Sequence, residues 1–100
     1  MNLIFRPKGA SMKAIVTVIG KDRVGIIAKV SGILAENMVN IMDISQTILQ
    51  DYFAMIMLVD LTDMKLSFSD LSKKLADKGK TTGVQIKIQR EEVFKAMHQV

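Results

Sequence analysis

The apolar positions of this chain change their period several times, and each change marks the boundary of a predicted element. Residues 13–20 form a nearly continuous, β-branched apolar run, which is typical of a central strand. After a turn at 20–23, apolar residues recur at helical spacing and predict a helix over about 24–38, with Asp22 or Arg23 near its start and Asn37 near its end. The predicted buried stripe of this helix consists of Ile26, Ile27, Val30, Ile33, Leu34 and Met38.

The middle of the chain predicts a β-hairpin followed by a second helix. Residues 39–49 and 52–61 are two strand-like runs, and Gln50 and Asp51 between them favour a tight turn. The sequence SFSD at 67–70 resembles a capping box and predicts the start of a helix, which we expect Gly79 to end. The predicted buried face of that helix consists of Phe68, Leu71, Leu75 and Ala76.

The last part of the chain predicts one more strand and a short terminal helix. Val84, Ile86 and Ile88 alternate with polar residues. A short helix then begins with Glu91 and Glu92, and Lys95 and His98 near its end suit the helix dipole. The order strand–helix–strand–strand–helix–strand predicts an α+β fold of the ferredoxin-like βαββαβ type. In it, two helices cover one face of a four-stranded antiparallel sheet.

The third predicted strand is apolar on both faces. Phe53, Met55, Met57 and Val59 share one face, and Ala54, Ile56 and Leu58 share the other. Two helices cover only one face of such a sheet. We therefore expect a second copy of the chain to cover the free face or to extend the sheet edge, as a homodimer. The alternative is that the terminal helix folds back over that face.

Length, composition and charge limit the classes of protein to which this chain can belong. One hundred residues with 49% apolar and 24% charged residues suit a single globular domain. We interpret residues 1–11 as a leader or expression segment, 12–90 as the domain and 91–100 as a helical tail. Without residues 1–11 the net charge falls from +4 to +2, which favours a solvated surface over a nucleic-acid site. The absence of cysteine and of a long apolar run favours the cytoplasm and no membrane contact.

Few residues suggest catalysis. His98 is the single histidine, the acidic residues lack the spacing of a metal loop, and no phosphate-binding fingerprint is present. We therefore expect no enzyme activity, no metal and no cofactor.

The first strand-to-helix turn, GKDRVGII at 20–27, is the candidate binding site. The free N–H groups at a helix start suit a carboxylate, and Asp22 suits an ammonium group. Gly25 leaves room for a ligand or a neighbouring strand. The alternative interpretation is structural: Asp22 caps the helix, and Gly25 allows the helix to pack on the sheet.

This turn, together with LAE at 34–36 and VNI at 39–41, resembles the ACT domain family over about residues 12–90. The runs DISQT at 43–47 and FKAM at 94–97 resemble small free-standing ACT proteins and one domain of the glycine cleavage system transcriptional repressor. Val24 stands where the family commonly has proline.

The resemblance implies a regulatory domain that binds an amino acid effector and acts as a homodimer. The ligand would lie between the first turn of one subunit and strand residues of the interface. The matching positions are Gly20, Asp22, Gly25, Ile26 and Asn40. Asp22 is often asparagine in amino-acid-sensing members.

Two other functions use the same order of elements. An RNA-binding domain needs aromatic side chains on one face of its central strands, whereas Tyr52 and Phe53 are adjacent and point to opposite faces. We therefore expect no nucleic-acid partner. A regulator that binds only another protein, with no ligand of its own, fits the apolar strands equally well and remains the alternative.

Overall fold

The predicted order of elements is confirmed. The computed structural model describes residues 12–21 and 25–97, so the predicted leader at 1–11 and His98 lie outside the described residues. The elements are β1 (Lys13–Gly20), α1 (Ile26–Glu36), β2 (Asn40–Leu49), β3 (Tyr52–Asp60), α2 (Phe68–Thr82), β4 (Gln85–Arg90) and α3 (Glu91–Met97).

The four strands form one antiparallel sheet in the order β2-β3-β1-β4. Val16 of β1 lies opposite Met57 of β3 on one side and Ile88 of β4 on the other. These side chains share the face on which α1 and α2 pack, and they belong to the hydrophobic core cluster. The ferredoxin-like fold is therefore confirmed, with β2 and β4 as its edge strands.

Helix α1 is shorter than predicted, and its buried stripe is narrower. Ile26, Val30 and Leu34 follow one another at i, i+4 and i+8 and are buried. Ile27 is 37% exposed and Met38 is 50% exposed, so the prediction that they are buried was wrong. Ile27 lies off the i+4 row. Met38 lies beyond the helix with a φ of 61°, because the chain turns there toward β2.

The start of α2 follows the predicted cap. The Ser67 hydroxyl oxygen accepts a hydrogen bond from the Asp70 N–H at 3.0 Å. Phe68 is half-buried, and the Arg90 guanidinium lies 4.4 Å from the centre of its ring. Ala76 is exposed, so its assignment to the buried face was wrong.

The end of α2 lies three residues beyond the predicted one. Gly79 does not end the helix, which continues to Thr82 and is capped by Gly83 at a φ of 76°. Gly79 is buried, and a Cβ there would lie 2.6 Å from the carbonyl oxygen of Val84. The glycine is therefore required by the close approach of α2 to the chain leading into β4, which the sequence pattern did not reveal.

The β2–β3 hairpin turns at Gln50, as predicted, with a φ of 56°. A bulge between Ile41 and Asp43 places Met42 outside the regular register. Farther along β2, Ile44 and Ile48 lie on the helix side of the sheet and are exposed, because the helices do not cover this part of the strand.

The two faces of β3 are both apolar, as predicted, but they differ in burial. Phe53, Met55, Met57 and Val59 are almost fully buried beneath the helices. On the other face Ile56 is 42% exposed. Helix α3 packs against β1 and β4 on that second face. The alternative of a terminal helix folding back is thus confirmed in part: α3 packs on β1 and β4, while Ile19, Gln85 and Lys87 of these strands stay exposed. The β2–β3 half stays open.

Candidate ligand-binding site

The turn after β1 is held by two glycines with different physical roles. A Cβ on Gly20 would overlap the side chain of Val84, lying 3.0 Å from its Cβ, so Gly20 is required for packing where β1 ends. Gly25 precedes α1 with a φ of 75°, and nothing lies within 4 Å of a Cβ built on it. Its backbone conformation, and not crowding, therefore requires glycine.

Gly25 is the N-cap of α1, so the helix begins two residues after the predicted start at about residue 24. The cap has no side-chain hydrogen bond, and Gly25 supplies the first helical acceptor through its carbonyl, which receives the Lys29 N–H at 3.1 Å. Asp22, the predicted partner of an ammonium group, lies outside the described residues.

The side chain of Ile26 belongs to the core. It is 3% exposed, so its contribution to a ligand at this turn is limited to its backbone. Ile26 and the next residues form the first turn of α1, whose N–H groups have no partners within the helix. This end of α1 therefore offers donors and the positive end of the helix dipole.

Asn40 is exposed and begins β2, opposite Asp60 of β3. It lies beyond the C-terminal end of α1, whereas Gly25 lies at the N-terminal end. A helix of 11 residues is about 16 Å long. Within one chain the structure therefore brings Gly20, Gly25 and Ile26 together and leaves Asn40 at the far end of the helix.

A shallow groove runs along the outer flank of α1 from Ala28 to Asn40. Its volume is about 560 Å³, and it lies between α1 and the start of β2. The lining residues are Ala28, Ser31, Gly32, Ala35, Val39, Asn40 and Ile41. Nothing lies within 4 Å of a Cβ built on Gly32, so the groove is open there. The small residues spaced three and four apart on α1 are the sequence signal for this groove, which the apolar pattern alone did not predict.

A second depression of about 410 Å³ lies between the turn and the hairpin tip. Lys21, Gln50, Asp51 and Tyr52 are among its lining residues. The Lys21 ammonium nitrogen lies 5.3 Å from the centre of the Tyr52 ring, which is within the range of a cation–π contact. Lys21 is thereby held beside the hairpin.

The described residues contain neither a group of metal ligands nor a membrane-spanning helix. Among residues 12–21 and 25–97, no three His, Cys, Asp or Glu side chains are grouped so as to hold a metal ion. Within the same ranges, no helix is both long and apolar enough to cross a membrane.

Comparison with known proteins identifies the family. The sequence model of one family, described as "ACT domain", matches residues 13–89. The chain belongs to the ACT domain family. ACT domains are generally ligand-binding regulatory domains, and no catalytic family is indicated for this one.

The relatives of this ACT domain include small proteins of the same length as the match. A UPF0237 protein of Clostridium acetobutylicum is 61% identical over 89 residues, which are 89% of this chain and 100% of the relative. The solved structure of an ACT domain protein from Streptococcus pneumoniae is 47% identical. Its TM-score is 0.74, and the match covers 89% of this chain and 100% of that one.

A more distant structure shares the fold. It is that of a putative glycine cleavage system transcriptional repressor, with 22% identity and a TM-score of 0.63. The match covers 78% of this chain and 44% of that one. The predicted resemblance to one part of such a repressor is confirmed at the level of the fold.

Proposed function

We propose that this ACT domain is a cytoplasmic, non-catalytic regulatory module that binds a free amino acid between the two subunits of a homodimer. The observation that supports this proposal most directly is the position of Asn40. The residues that match the family's site lie at opposite ends of α1, so a compact site containing all of them requires a second copy of the chain.

A twofold axis beside the α1–β2 edge would bring the start of α1 from one subunit and Asn40 from the other into one site. Two copies related by such an axis lie antiparallel, so the start of α1 in one subunit meets the end of α1 in the other. Gly25 would then lie close to Asn40 of the partner subunit. The small residues along the α1 groove permit the close approach of two helices, one from each subunit. The outer side of the edge strand β2 would pair with β2 of the partner subunit and extend the sheet across the interface.

The chemistry of the turn suits an α-amino acid. The carboxylate would accept hydrogen bonds from the free N–H groups at the start of α1, where the helix dipole is positive. Asp22 would accept hydrogen bonds from the ammonium group, and the Asn40 amide of the partner subunit would offer both a donor and an acceptor.

The alternative function is a protein-binding regulator without a ligand of its own. Ile44 and Ile48 on β2 are exposed on the helix side of the sheet, and such apolar residues suit a foreign protein partner as well as a second copy. An RNA-binding function has less support, because Phe53 is buried beneath the helices and Tyr52 lies against Lys21.

The test is a thermal-shift screen of the full chain against the twenty amino acids, with the mass measured by light scattering on the same sample. A ligand at ~100 times its dissociation constant adds about 2.7 kcal/mol of stability, which is a shift of several degrees for a domain of this size. A shift with one amino acid in a dimeric sample supports the proposal. A monomer that responds to no amino acid contradicts it, and a dimer without a response favours the protein-binding regulator.

A further inference from the structure

A groove on the opposite side of the sheet from α1 and α2 has the features of a separate ligand site. Helix α3 packs on part of β1 and β4 and forms one wall, while the sheet forms the floor. The groove has a volume of about 350 Å³, which lies within the range of small-molecule sites.

The apolar side chains of the groove come from both the floor and the wall. Ile19 and Ile56 contribute from β1 and β3, and Phe94 and Met97 contribute from α3. Ile19, Ile56 and Met97 are each between 42% and 58% exposed, so apolar surface faces water on both sides of the concavity. Burial of this surface by an apolar ligand would be favourable.

One polar contact between lining residues of the groove joins α3 to the sheet. The Gln89 side-chain N–H donates to the Met97 sulfur at 2.9 Å, which joins the end of α3 to β4. A salt bridge between Lys95 and Glu91, with 3.8 Å between nitrogen and oxygen, links successive turns of the helix. The wall of the groove is thus joined to the sheet by the Gln89–Met97 contact.

The charge of the groove is positive at one point. Lys87 of β4 is the charged residue of its lining, and no carboxylate lines it. Within residues 12–21 and 25–97, Lys87 takes part in no salt bridge. Its polar neighbours in the lining are uncharged: Thr17, opposite it on β1, Gln85 and Gln89.

We propose that this groove binds an amphipathic monocarboxylate, a molecule with an aliphatic or aromatic body, one carboxylate and no ammonium group. The body would lie against Ile19, Ile56 and Phe94, and the carboxylate would pair with Lys87. A free amino acid is disfavoured here, because its ammonium group would meet no acidic partner. The groove is thereby distinct in chemistry from the proposed site at the start of α1.

The test is a titration of the ¹⁵N-labelled full chain with octanoate, below the concentration at which it forms micelles, followed by NMR. We expect saturable shifts of the amides around Ile56, Lys87 and α3, and no comparable response to octylammonium. Lys87→Gln should weaken octanoate binding about 5-fold, as expected for the loss of a partly exposed ion pair. Lys80→Gln, on the exposed face of α2, should leave the affinity unchanged.

Ile56→Asp supplies a second variant, because Ile56 is partly exposed and the change should leave the fold intact by NMR. It should lower octanoate affinity at least 10-fold through repulsion and loss of apolar contact.

The proposal is overturned if octylammonium binds as well as octanoate or if the shifts do not saturate. It is also overturned if Ile56→Asp halves the mass of a wild-type dimer, since a second copy would then occupy the groove. A dimer formed through the α1–β2 edge would survive Ile56→Asp, so the two proposals fail independently.

Discussion

The two faces of the sheet carry similar apolar side chains and meet different surroundings. On the helix side, β1 and β3 contribute residues with almost no exposure, such as Val18 and Met57. On the other side, Ile15 is buried, while Ile19 and Ile56 remain exposed. Apolar character in a strand therefore does not determine burial by itself. The amount of chain available to cover each face decides it.

The largest expected effect separates two adjacent residues of β3. Met57→Lys places an ammonium group among side chains with no exposure and should destabilise the fold by at least about 4 kcal/mol, enough to unfold a domain of this size. Ile56→Lys, on the open face, should cost less than about 1 kcal/mol. Urea denaturation followed by circular dichroism measures both. A folded Met57→Lys variant with native stability would contradict the assignment of the core face.

The next effect contrasts two helical glycines. Gly79→Ala places a Cβ against the Val84 carbonyl oxygen and should destabilise the protein by about 2 kcal/mol through overpacking. Gly32→Ala meets nothing within 4 Å and should stabilise the isolated subunit by up to ~1 kcal/mol through helix propensity. Thermal unfolding of both variants at low protein concentration gives the comparison. Equal destabilisation by the two changes would show that Gly79 is not a packing residue.

A smaller effect comes from exchanging polar and apolar character between adjacent positions of β1. Val18→Thr buries a hydroxyl among apolar side chains and should cost about 1–2 kcal/mol. Thr17→Val, on the face that α3 only partly covers, should change stability by less than about 0.5 kcal/mol. Chemical denaturation resolves a difference of this size, and the reverse ranking would be inconsistent with the observed register.

The smallest effect on stability tests the proposed amino acid site. Asn40→Ala removes an exposed side chain and should alter the free energy of unfolding by less than about 0.5 kcal/mol. Any thermal shift produced by an amino acid should nevertheless be lost. Thr81→Ala on the exposed surface of α2 is the control for an unrelated polar position. An amino acid response that persists in Asn40→Ala would remove Asn40 from the site.

Sequence alone was sufficient for the order of elements, the hairpin turn and the cap of α2. Each of these depends on residues close together in the chain: the period of apolar positions in a strand, the turn at Gln50, and the Ser67 hydroxyl three residues from its donor. The family resemblance was also contained in local motifs, and the match over residues 13–89 confirms it.

The tertiary structure decided features that depend on residues far apart in the sequence. The local sequence predicts a helix end at Gly79, but the structure shows that this glycine is needed for packing against Val84. Ile27 fits the apolar pattern of α1, but the direction of α1 across the sheet leaves it exposed. The separation of Asn40 from Gly25 follows from the path of α1, and the groove on the open face follows from the docking of α3. Periodicity reports which side of an element is apolar. What covers that side depends on long-range packing, which a local pattern does not encode.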